Sequence, residues 1–373
     1  MSDSDCPQDD VVDTVRLSLV AGVGPRTRRK LMERFGSARA ALAAAPSELR
    51  AIEGVGPKLM ERIAAAGEEI DAEGEIALCR RHGIAILTEA DPNYPRMLRE
   101  IPDPPGLLFV RGTLAPQDAL AIGIVGTRHA TAYGLRQAGR LAASLSRAGL
   151  TIISGLARGI DAAAHRGAME AGGRTLAMLA SGVLCIYPPE HDKLAEEVAA
   201  HGALVSEQPS RSAPLAGTFP QRNRLISGLS LGVIVVEAAE RSGALITARH
   251  AMEQGRDVFA VPGNVDSRTS RGCHRLLRDG AILVESADDV LEQLGPLVEA
   301  MPRDDGRTVH HPAELLLNEL EQHVLDSVRG EATSINDIIA ASGLPAGQVL
   351  STISVLEMRH LIRRLSGTTV IRI

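Results

Sequence analysis

The stretch "AIGIVGTRHATAYG", residues 121–134, decides the fold, because a short apolar run ends on a glycine and gives way to a polar turn. Similar apolar runs recur through the middle of the chain and alternate with helical patterns. These runs are LTIIS (150–154), TLAML (175–179), GVIVV (232–236), DVFAV (257–261) and AILV (281–284). Such alternation is typical of β-α-β units and predicts an α/β domain built on a doubly wound parallel sheet with helices on both faces.

Four loops of this predicted domain are rich in small residues, and two of them carry arginines with few acids nearby. In a parallel sheet, ligands bind beyond the carboxyl ends of the strands, where backbone N–H groups and helix N-termini meet anions. Glycine permits close backbone approach, a hydroxyl can cap a helix, and arginine offers paired donors to phosphate. Glycines also serve simply to turn the chain, so one loop alone identifies no ligand, but four together favour a phosphate-binding rim. The candidate residues are Gly126, Thr127, Arg128, Ser154, Gly155, Arg158, Gly159, Phe219, Arg222, Asn223, Arg224, Ser242, Gly243 and Thr247.

The segment "GTFPQRNRLISGLS", residues 217–230, is unusual in a chain of net charge -6, because it carries two arginines and no acid. Phe219 lies in it among polar and small residues, whereas Phe109 and Phe259 lie in apolar runs. A base stacked on an aromatic ring, with arginines on the flanking phosphates, is how single-stranded nucleic acid is held without sequence readout. The alternative is that Phe219 packs its loop onto the core, and the residues alone leave both interpretations open.

Composition excludes several classes of protein. A chain of 373 residues that is 45% hydrophobic is long enough for two or three domains. The cysteines Cys6, Cys79, Cys185 and Cys273 form no CxxC pair, which argues against a disulfide framework or a zinc site. No apolar run approaches the roughly 20 residues that a membrane span needs. We therefore expect a cytoplasmic protein with no membrane segment, no metal and no cofactor.

Two enzyme classes are weighed against a binding protein. A dinucleotide dehydrogenase would need GxGxxG, whereas the first loop reads GxxGTR. A phosphoribohydrolase-type nucleotide enzyme carries PGGxGT before its catalytic glutamate, whereas this region reads "VVEAAERSGALIT". Glu237 is the only carboxylate well placed for catalysis, and without a second acid, a paired histidine or a metal cluster we expect it to orient a loop. We expect no catalytic residue, and keep the phosphoribohydrolase-type enzyme as the alternative.

Six motifs resemble, in order and spacing, the DNA processing protein A (DprA, or Smf) family over roughly residues 85 to 290. They are "GIVGTRHATAYG", "ISGLARGIDAAAHRGAM", "YPPEH", "FPQRNRLISGLS", "VVEAAERSGALITARHAMEQGR" and "VFAVPGN". The resemblance implies an extended Rossmann-like domain that binds single-stranded DNA, protects incoming DNA, forms a homodimer and loads RecA recombinase in natural transformation. It also implies a basic pocket built from the loops 126–128, 154–159 and 219–224. The family often has GSR in the first loop, where this chain has GTR and keeps both the hydroxyl and the arginine.

The flanking regions predict two smaller domains. "AGVGPRTRRKLMERFGS" and "IEGVGPKLMERI" resemble paired helix-hairpin-helix motifs, which predict a SAM-like helical domain over residues 1–75, more as a folding module than as a DNA contact. The α/β domain is placed at 76–295, a linker at 296–312 and a winged-helix domain at 313–373. In that last domain the second helix is expected to bury Val349, Leu350, Ile353 and Leu356, and to expose Gln348, Ser351 and Thr352. This exposed face has no base until Arg359, so we do not expect it to read a DNA groove.

Overall fold

The computed structural model describes residues 7–295, 301–302, 308–309, 318–328, 332–358, 361–366 and 368–372. The central unit is a nine-stranded sheet in the order β1-β2-β6-β5-β4-β3-β7-β8-β9. Its strands are β1 (Ile84–Thr88), β2 (Leu107–Gly112), β3 (Ala121–Val125), β4 (Thr151–Ser154), β5 (Thr175–Met178), β6 (Gly202–Ser206), β7 (Gly232–Val235), β8 (Asp257–Ala260) and β9 (Ile282–Leu283).

Helices cover both faces of this sheet and form the two flanking domains. In the amino-terminal part they are α1 (Pro7–Leu19), α2 (Pro25–Phe35), α3 (Ala38–Leu42), α4 (Pro46–Arg50), α5 (Pro57–Glu69) and α6 (Ala72–Arg81). Around the sheet they are α7 (Arg96–Arg99), α8 (Ala132–Arg147), α9 (Ile160–Glu170), α10 (Asp192–His201), α11 (Thr218–Gly228), α12 (Ala244–Glu253), α13 (Arg271–Arg278) and α14 (Ala287–Leu294), with short 3-10 turns at Pro116–Ala119 and Pro189–His191.

Strand β3 shows why the apolar runs form a doubly wound sheet. Ala121 and Val125 lie in the hydrophobic cluster on one face, with residues of α11 and α12, whereas Ile122 and Ile124 lie in the cluster on the other face, with residues of α8 and α9. A strand buried on both faces needs apolar side chains at every position, and this explains the continuous run. The predicted doubly wound architecture is confirmed.

The sheet is larger and less uniform than the apolar runs alone predict. From β6 to β9 all neighbouring strands are parallel, but β2 pairs antiparallel with β6 and β1 pairs antiparallel with β2. Strands β1, β2 and β6 were not among the six runs that define the predicted sheet. The result is a mixed sheet in which the parallel part predominates.

The amino-terminal helices pack into a small core and against the sheet domain. Both GVGP sequences supply a proline at the start of a helix, α2 and α5. The two hairpins are linked by Arg62, whose Nη1 donates to the carbonyl of Ala21 at 3.0 Å. Arg28 on α2 forms an ion pair of 2.8 Å with Glu89, beyond β1. At least one arginine of this domain, Arg28, therefore connects it to the sheet domain instead of being free to bind a ligand.

Beyond residue 295 the described parts are two small sheets and three helices. Strands β10 (Met301–Pro302) and β11 (Thr308–Val309) pair within the predicted linker. Helices α15 (Glu319–Asp326), α16 (Ile335–Ser342) and α17 (Ala346–Met358) pack with β12 (Thr333–Ser334), β13 (Ile362–Ser366) and β14 (Thr369–Arg372). No single helix in the described ranges is long and apolar enough to cross a membrane; the pair α16 and α17, bent by 114°, passes that test by length and composition only.

Helix α17 corrects the predicted buried face of the winged helix. Val349, Ile353 and Leu356 are buried as predicted, but Leu350 is 44% exposed and Thr352 is buried. The buried set 349, 352, 353 and 356 follows the i, i+3, i+4, i+7 pattern of one helix face, on which position 350 cannot lie. Gln348 and Ser351 are exposed as expected, and Arg359 lies outside the described residues.

Candidate nucleic-acid interface

The strand order reverses at β3, and a cavity lies beyond that point. From β3 the chain builds outward through β4, β5 and β6 on one side, and through β7, β8 and β9 on the other. Ligands of doubly wound sheets bind in the crevice at such a reversal, outside the carboxyl ends of the strands. A cavity of about 560 Å³ opens there, and we call it the switch-point cavity.

The switch-point cavity brings together most of the residues predicted for a phosphate-binding rim. Three of the four predicted loops contribute predicted residues to its wall, and the loop after β4 contributes its neighbours Ala157 and Asp161. The predicted residues that line the cavity are Gly126, Thr127, Arg128, Phe219, Arg222, Asn223, Ser242, Gly243 and Thr247. Ser154, Gly155, Arg158, Gly159 and Arg224 do not line it.

Arg222 is the buried cation of the cavity. Its side chain is 6% exposed, and its Nη1 donates to the carbonyl of Met178 at 2.6 Å, while its Nε has no hydrogen-bond partner. Burial lowers the pKa of Arg222 to about 10, and the neighbouring Asp161 opposes this shift. The guanidinium therefore remains protonated at neutral pH and keeps unused donor capacity beside the cavity.

Asp161, in the first turn of α9, is the acid that faces this arginine. Burial raises the pKa of its carboxyl, whereas Arg222 and Arg128 lower it. Its Oδ2 accepts from the backbone N–H groups of Gly155 and Ala157, at 3.1 and 3.3 Å. The carboxylate thus closes the loop after β4 and provides a counter-charge for the buried arginine.

Arg128 and Phe219 meet at the mouth of the cavity. Arg128 is exposed, and its guanidinium carbon lies 5.0 Å from the centroid of the Phe219 ring. That ring also contacts Tyr187, with centroids 5.7 Å apart and planes inclined at 68°. Phe219 is only partly buried and lines the cavity, so the structure places it at the rim and not in the hydrophobic core.

Arg224 was predicted as a site residue, but in the structure it pairs with two carboxylates and does not line the cavity. It is 3% exposed, its Nη2 donates to Glu207 at 2.6 Å, and its Nε lies 3.3 Å from a carboxylate oxygen of Asp103. Arg222 and Arg224 are two positions apart on α11, and a helix turns such residues to different sides. Arg224 is thus committed to two carboxylates from other parts of the chain, and we do not retain it as a ligand residue.

The loop after β4 supports the cavity from behind. Ser154 donates its hydroxyl to the carbonyl of Ile124 at 2.6 Å, and a side chain at Gly155 would collide with the Arg222 guanidinium at 1.9 Å. Gly159 has φ of 74°, and a Cβ there would lie 2.3 Å from the carbonyl oxygen of Thr127. Arg158 is paired with Glu190 on the surface. These four predicted residues shape or border the site without lining it.

The start of α12 lines the cavity with its donors already engaged. The amide of Ala244 donates to the hydroxyl of Ser242 at 3.3 Å, and the amide of Ile246 donates to the carbonyl of Gly243 at 3.1 Å. The amide nitrogen of Asn223 donates to that same carbonyl at 3.3 Å. This turn therefore holds α11 in position against α12, and the amides of Ala244 and Ile246 are already engaged within the turn.

Glu237 holds the loop after β3 in place, as expected. Its carboxylate accepts from the backbone N–H and the hydroxyl of Thr131, at 2.9 and 2.6 Å, and its carbonyl accepts from the amide of Thr127 at 2.7 Å. Both carboxylate oxygens are thus occupied by one threonine. Within the described residues, no group of three or more His, Cys, Asp or Glu side chains is placed to hold a metal ion.

Sequence reasoning missed two residues that shape the site. Asp161 lies in the motif "ISGLARGIDAAAHRGAM" and Tyr187 in the motif "YPPEH", and neither was among the candidate site residues. Spacing could not place Asp161 near Arg222, because the two residues lie on different helices, α9 and α11. A signal for Tyr187 did exist, because this chain has only three tyrosines and four phenylalanines and Tyr187 lies outside the apolar runs.

Three family models match successive parts of the chain. A family model described as "DNA recombination-mediator protein A" matches residues 85–295. A "DprA winged helix domain" matches residues 309–368, and a "SAM-like Helix-hairpin-helix tandem" matches residues 15–66. The chain is similar to Protein Smf of Synechocystis sp., with 36% identity over 380 residues that cover 94% of this chain and 96% of that protein.

Two solved structures agree with this match. DNA processing protein A from Streptococcus pneumoniae shares 34% identity, with a TM-score of 0.65 over 75% of this chain and 95% of that chain. The Helicobacter pylori protein, solved for its single-stranded DNA binding mode, shares 30% identity, with a TM-score of 0.51 over 57% of this chain and 95% of that chain. Fold, site and matches define an α/β protein of the DNA-processing class. The chain belongs to the DNA recombination-mediator protein A family, also called DprA or Smf.

Proposed function

We propose that this chain is a cytoplasmic recombination mediator that binds single-stranded DNA in the switch-point cavity, protects it and loads RecA recombinase onto it during natural transformation. The observation that carries the proposal is the convergence of the buried Arg222, the exposed Arg128 and the ring of Phe219 on one cavity. Arginine donors suit phosphate oxygens, and a partly exposed ring suits an unpaired base.

The arrangement favours a single strand over a duplex. The cavity is concave, about 560 Å³ in volume, and has its ring at the mouth. The bases of a duplex are stacked on one another and their faces are not available to a side chain, whereas the bases of a single strand can leave the stack. Recognition by phosphate and stacking carries no base code, which fits a protein that must accept any incoming sequence.

We propose a binding protein and not an enzyme. An acid for nucleotide cleavage would have to come from Glu237 or Asp161 near the cavity. The oxygens of Glu237 are both engaged by Thr131, and Asp161 accepts from two backbone amides and interacts electrostatically with Arg222. These contacts suit carboxylates that position loops, so the phosphoribohydrolase-type alternative receives no support from the site geometry.

We also propose that the chain forms a homodimer. One cavity with two arginines spans only a few nucleotides, and two cavities acting on one strand raise the effective affinity without any new contact. The family resemblance points in the same direction. Light scattering at micromolar concentration is expected to give the mass of a dimer.

Binding and loading are tested in two assays. In the first, a fluorescent oligo-dT bound to the full chain is challenged with unlabelled single strand, duplex of equal length, or nucleoside monophosphate, and only the single strand should compete efficiently. Efficient competition by the monophosphate, with turnover, would instead support the enzyme alternative.

In the second assay, the protein should shorten the lag of RecA filament assembly on DNA covered by single-strand-binding protein, and Arg128→Ala should not. If the protein binds DNA tightly but the lag is unchanged, RecA loading is rejected and the proposed binding of single-stranded DNA stands.

A further inference from the structure

Tyr187 lies outside the hydrophobic clusters that form the core of the sheet domain. Of the chain's tyrosines and phenylalanines, Tyr94, Phe109 and Phe259 are fully buried, as expected for large apolar side chains. Tyr187 is 37% exposed, although its preceding neighbour Ile186 packs against the core. Its described ring contact is the edge-to-face pair with Phe219 at the rim of the switch-point cavity.

Two arginines lie close to the pair of rings. Arg158 interacts with the hydroxyl of Tyr187 and is paired with Glu190, and Arg128 lies over the neighbouring Phe219 ring. A partly exposed ring with an arginine at its hydroxyl, in contact with the ring at the mouth of the cavity, resembles the combination of stacking surface and phosphate ligand found around Phe219 itself.

We propose that Tyr187 is a second base-stacking residue of the single-strand site, so that Phe219 and Tyr187 receive neighbouring bases of one strand. This inference rests on the proposed function. The 68° inclination between the two rings means that the bases stacked on them are splayed apart, which a flexible single strand allows and a duplex does not.

The two rings differ in how they are covered before DNA arrives. The Arg128 guanidinium lies over Phe219, whereas Tyr187 forms a T-shaped pair with Phe219 and remains 37% exposed. A base can therefore reach Tyr187 without displacing Arg128. At Phe219 the arriving base replaces the guanidinium, which is then free to bind the adjacent phosphate.

Substitution of Tyr187 in the full chain tests the stacking role. Tyr187→Ala should lower the affinity for oligo-dT by about 5- to 100-fold, the range for loss of one stacked base, with an unchanged salt dependence because no phosphate contact is lost. Tyr187→Phe keeps the ring and should bind as the wild type does. The matched control is Tyr133→Ala, because Tyr133 is also 37% exposed, but its hydroxyl donates to the Pro262 carbonyl and its ring forms no aromatic pair with Phe219 among the described residues.

A fluorescence readout distinguishes stacking from a role in supporting Phe219. The chain has no tryptophan, so Tyr187→Trp introduces a single reporter. Saturating oligo-dT should quench its emission, while Tyr133→Trp should keep its emission. If Tyr187→Trp binds DNA with unchanged emission, the stacking role is overturned while the proposed function stands. If the wild type itself fails to bind single strands, the proposed function fails first.

Discussion

At the scale of the residue, Arg222 and Arg224 have different roles although they lie two positions apart on α11. Both belong to the segment 217–230, which contains no acidic residue. In the fold Arg222 lines the switch-point cavity, while Glu207 and Asp103 surround Arg224. Arg222 is therefore available to a ligand, whereas Arg224 is neutralised by carboxylates from other parts of the chain.

Replacement of Arg224 should affect stability and spare DNA binding. Arg224→Met leaves the carboxylate of Glu207, whose side chain is only 14% exposed, without its ion-pair partner, and breaking a buried pair costs about 3–5 kcal/mol of unfolding free energy. Urea denaturation measures this loss, and the double variant Arg224→Met/Glu207→Gln should recover part of it. A variant of normal stability with weakened oligo-dT binding would contradict the structural role.

The pH dependence of the Arg224→Met variant has a defined sign. Burial already raises the pKa of Glu207 and Arg224 opposes that shift, so removing the arginine should raise the folded-state pKa further. The folded state then binds this proton more tightly than the unfolded state. The variant should therefore regain stability as pH falls from 7 toward 5, and lose it as pH rises through the folded-state pKa.

Phe219 should contribute to affinity but not to its salt dependence. A cation–π contact at an exposed site is worth about 0.5–1 kcal/mol, whereas a stacked base is worth about 1–3 kcal/mol, so exchange of Arg128 for a base on this ring is favourable. Phe219→Ala should weaken oligo-dT binding by roughly 5- to 100-fold at constant slope of affinity against salt. A change of slope equal to that of Arg128→Ala would argue against stacking.

At the scale of the element, the apolar runs predicted six of the seven strands in the parallel part of the sheet and missed β6, together with β1 and β2. Runs such as GVIVV are buried on both faces and stand out, whereas β1 has the burial pattern of an edge strand, with Ala85 exposed. The same limit explains the misplaced face of α17, where Leu350 is exposed and Thr352 buried. Hydrophobicity alone does not fix which side of a short apolar helix meets its neighbours.

The loop after β4 provides a test of how elements shape the site. Gly159→Ala and Gly172→Ala both place alanine at positive φ, 74° and 72°, and at Gly159 the ψ of -120° adds to the strain because it lies outside the left-handed helical region. Only at position 159 would the new Cβ also collide with the Thr127 carbonyl, since nothing lies within 4 Å at position 172. Gly159→Ala should therefore lose more unfolding free energy in urea, by about 1 kcal/mol or more, and should also bind oligo-dT more weakly. Equal losses in both variants would show that the Thr127 contact is unimportant.

At the scale of the whole molecule, the sheet domain and the winged-helix region have separate hydrophobic clusters. The candidate DNA ligands all lie in the sheet domain. Helix α17 has no lysine or arginine, and Arg364 lies 3.5 Å from Glu357. The domain order was predictable from sequence, because each domain has its own period and turn motifs, whereas contacts such as Arg28 with Glu89 required the fold.

Removal of the carboxyl-terminal region should therefore leave single-strand binding largely intact. A chain that ends at Gly295 is expected to bind oligo-dT within about threefold of the full chain, because exposed arginines outside the site contribute little. Circular dichroism checks that the remaining domains are folded. Loss of binding by a folded, shortened chain would assign DNA recognition to the winged helix.

The central claim is that the switch-point cavity holds a single strand through Arg128 and Arg222, and a salt titration tests it most directly. Affinity for oligo-dT is measured at several salt concentrations for the full chain, for Arg128→Ala and for Arg222→Gln, with a duplex of equal length in parallel. Each variant should bind more weakly, and its slope of log affinity against log salt should fall by about 0.7, the value for one lost phosphate contact on a single strand. Unchanged affinity and slope in both folded variants, or tighter binding of the duplex, would contradict the claim.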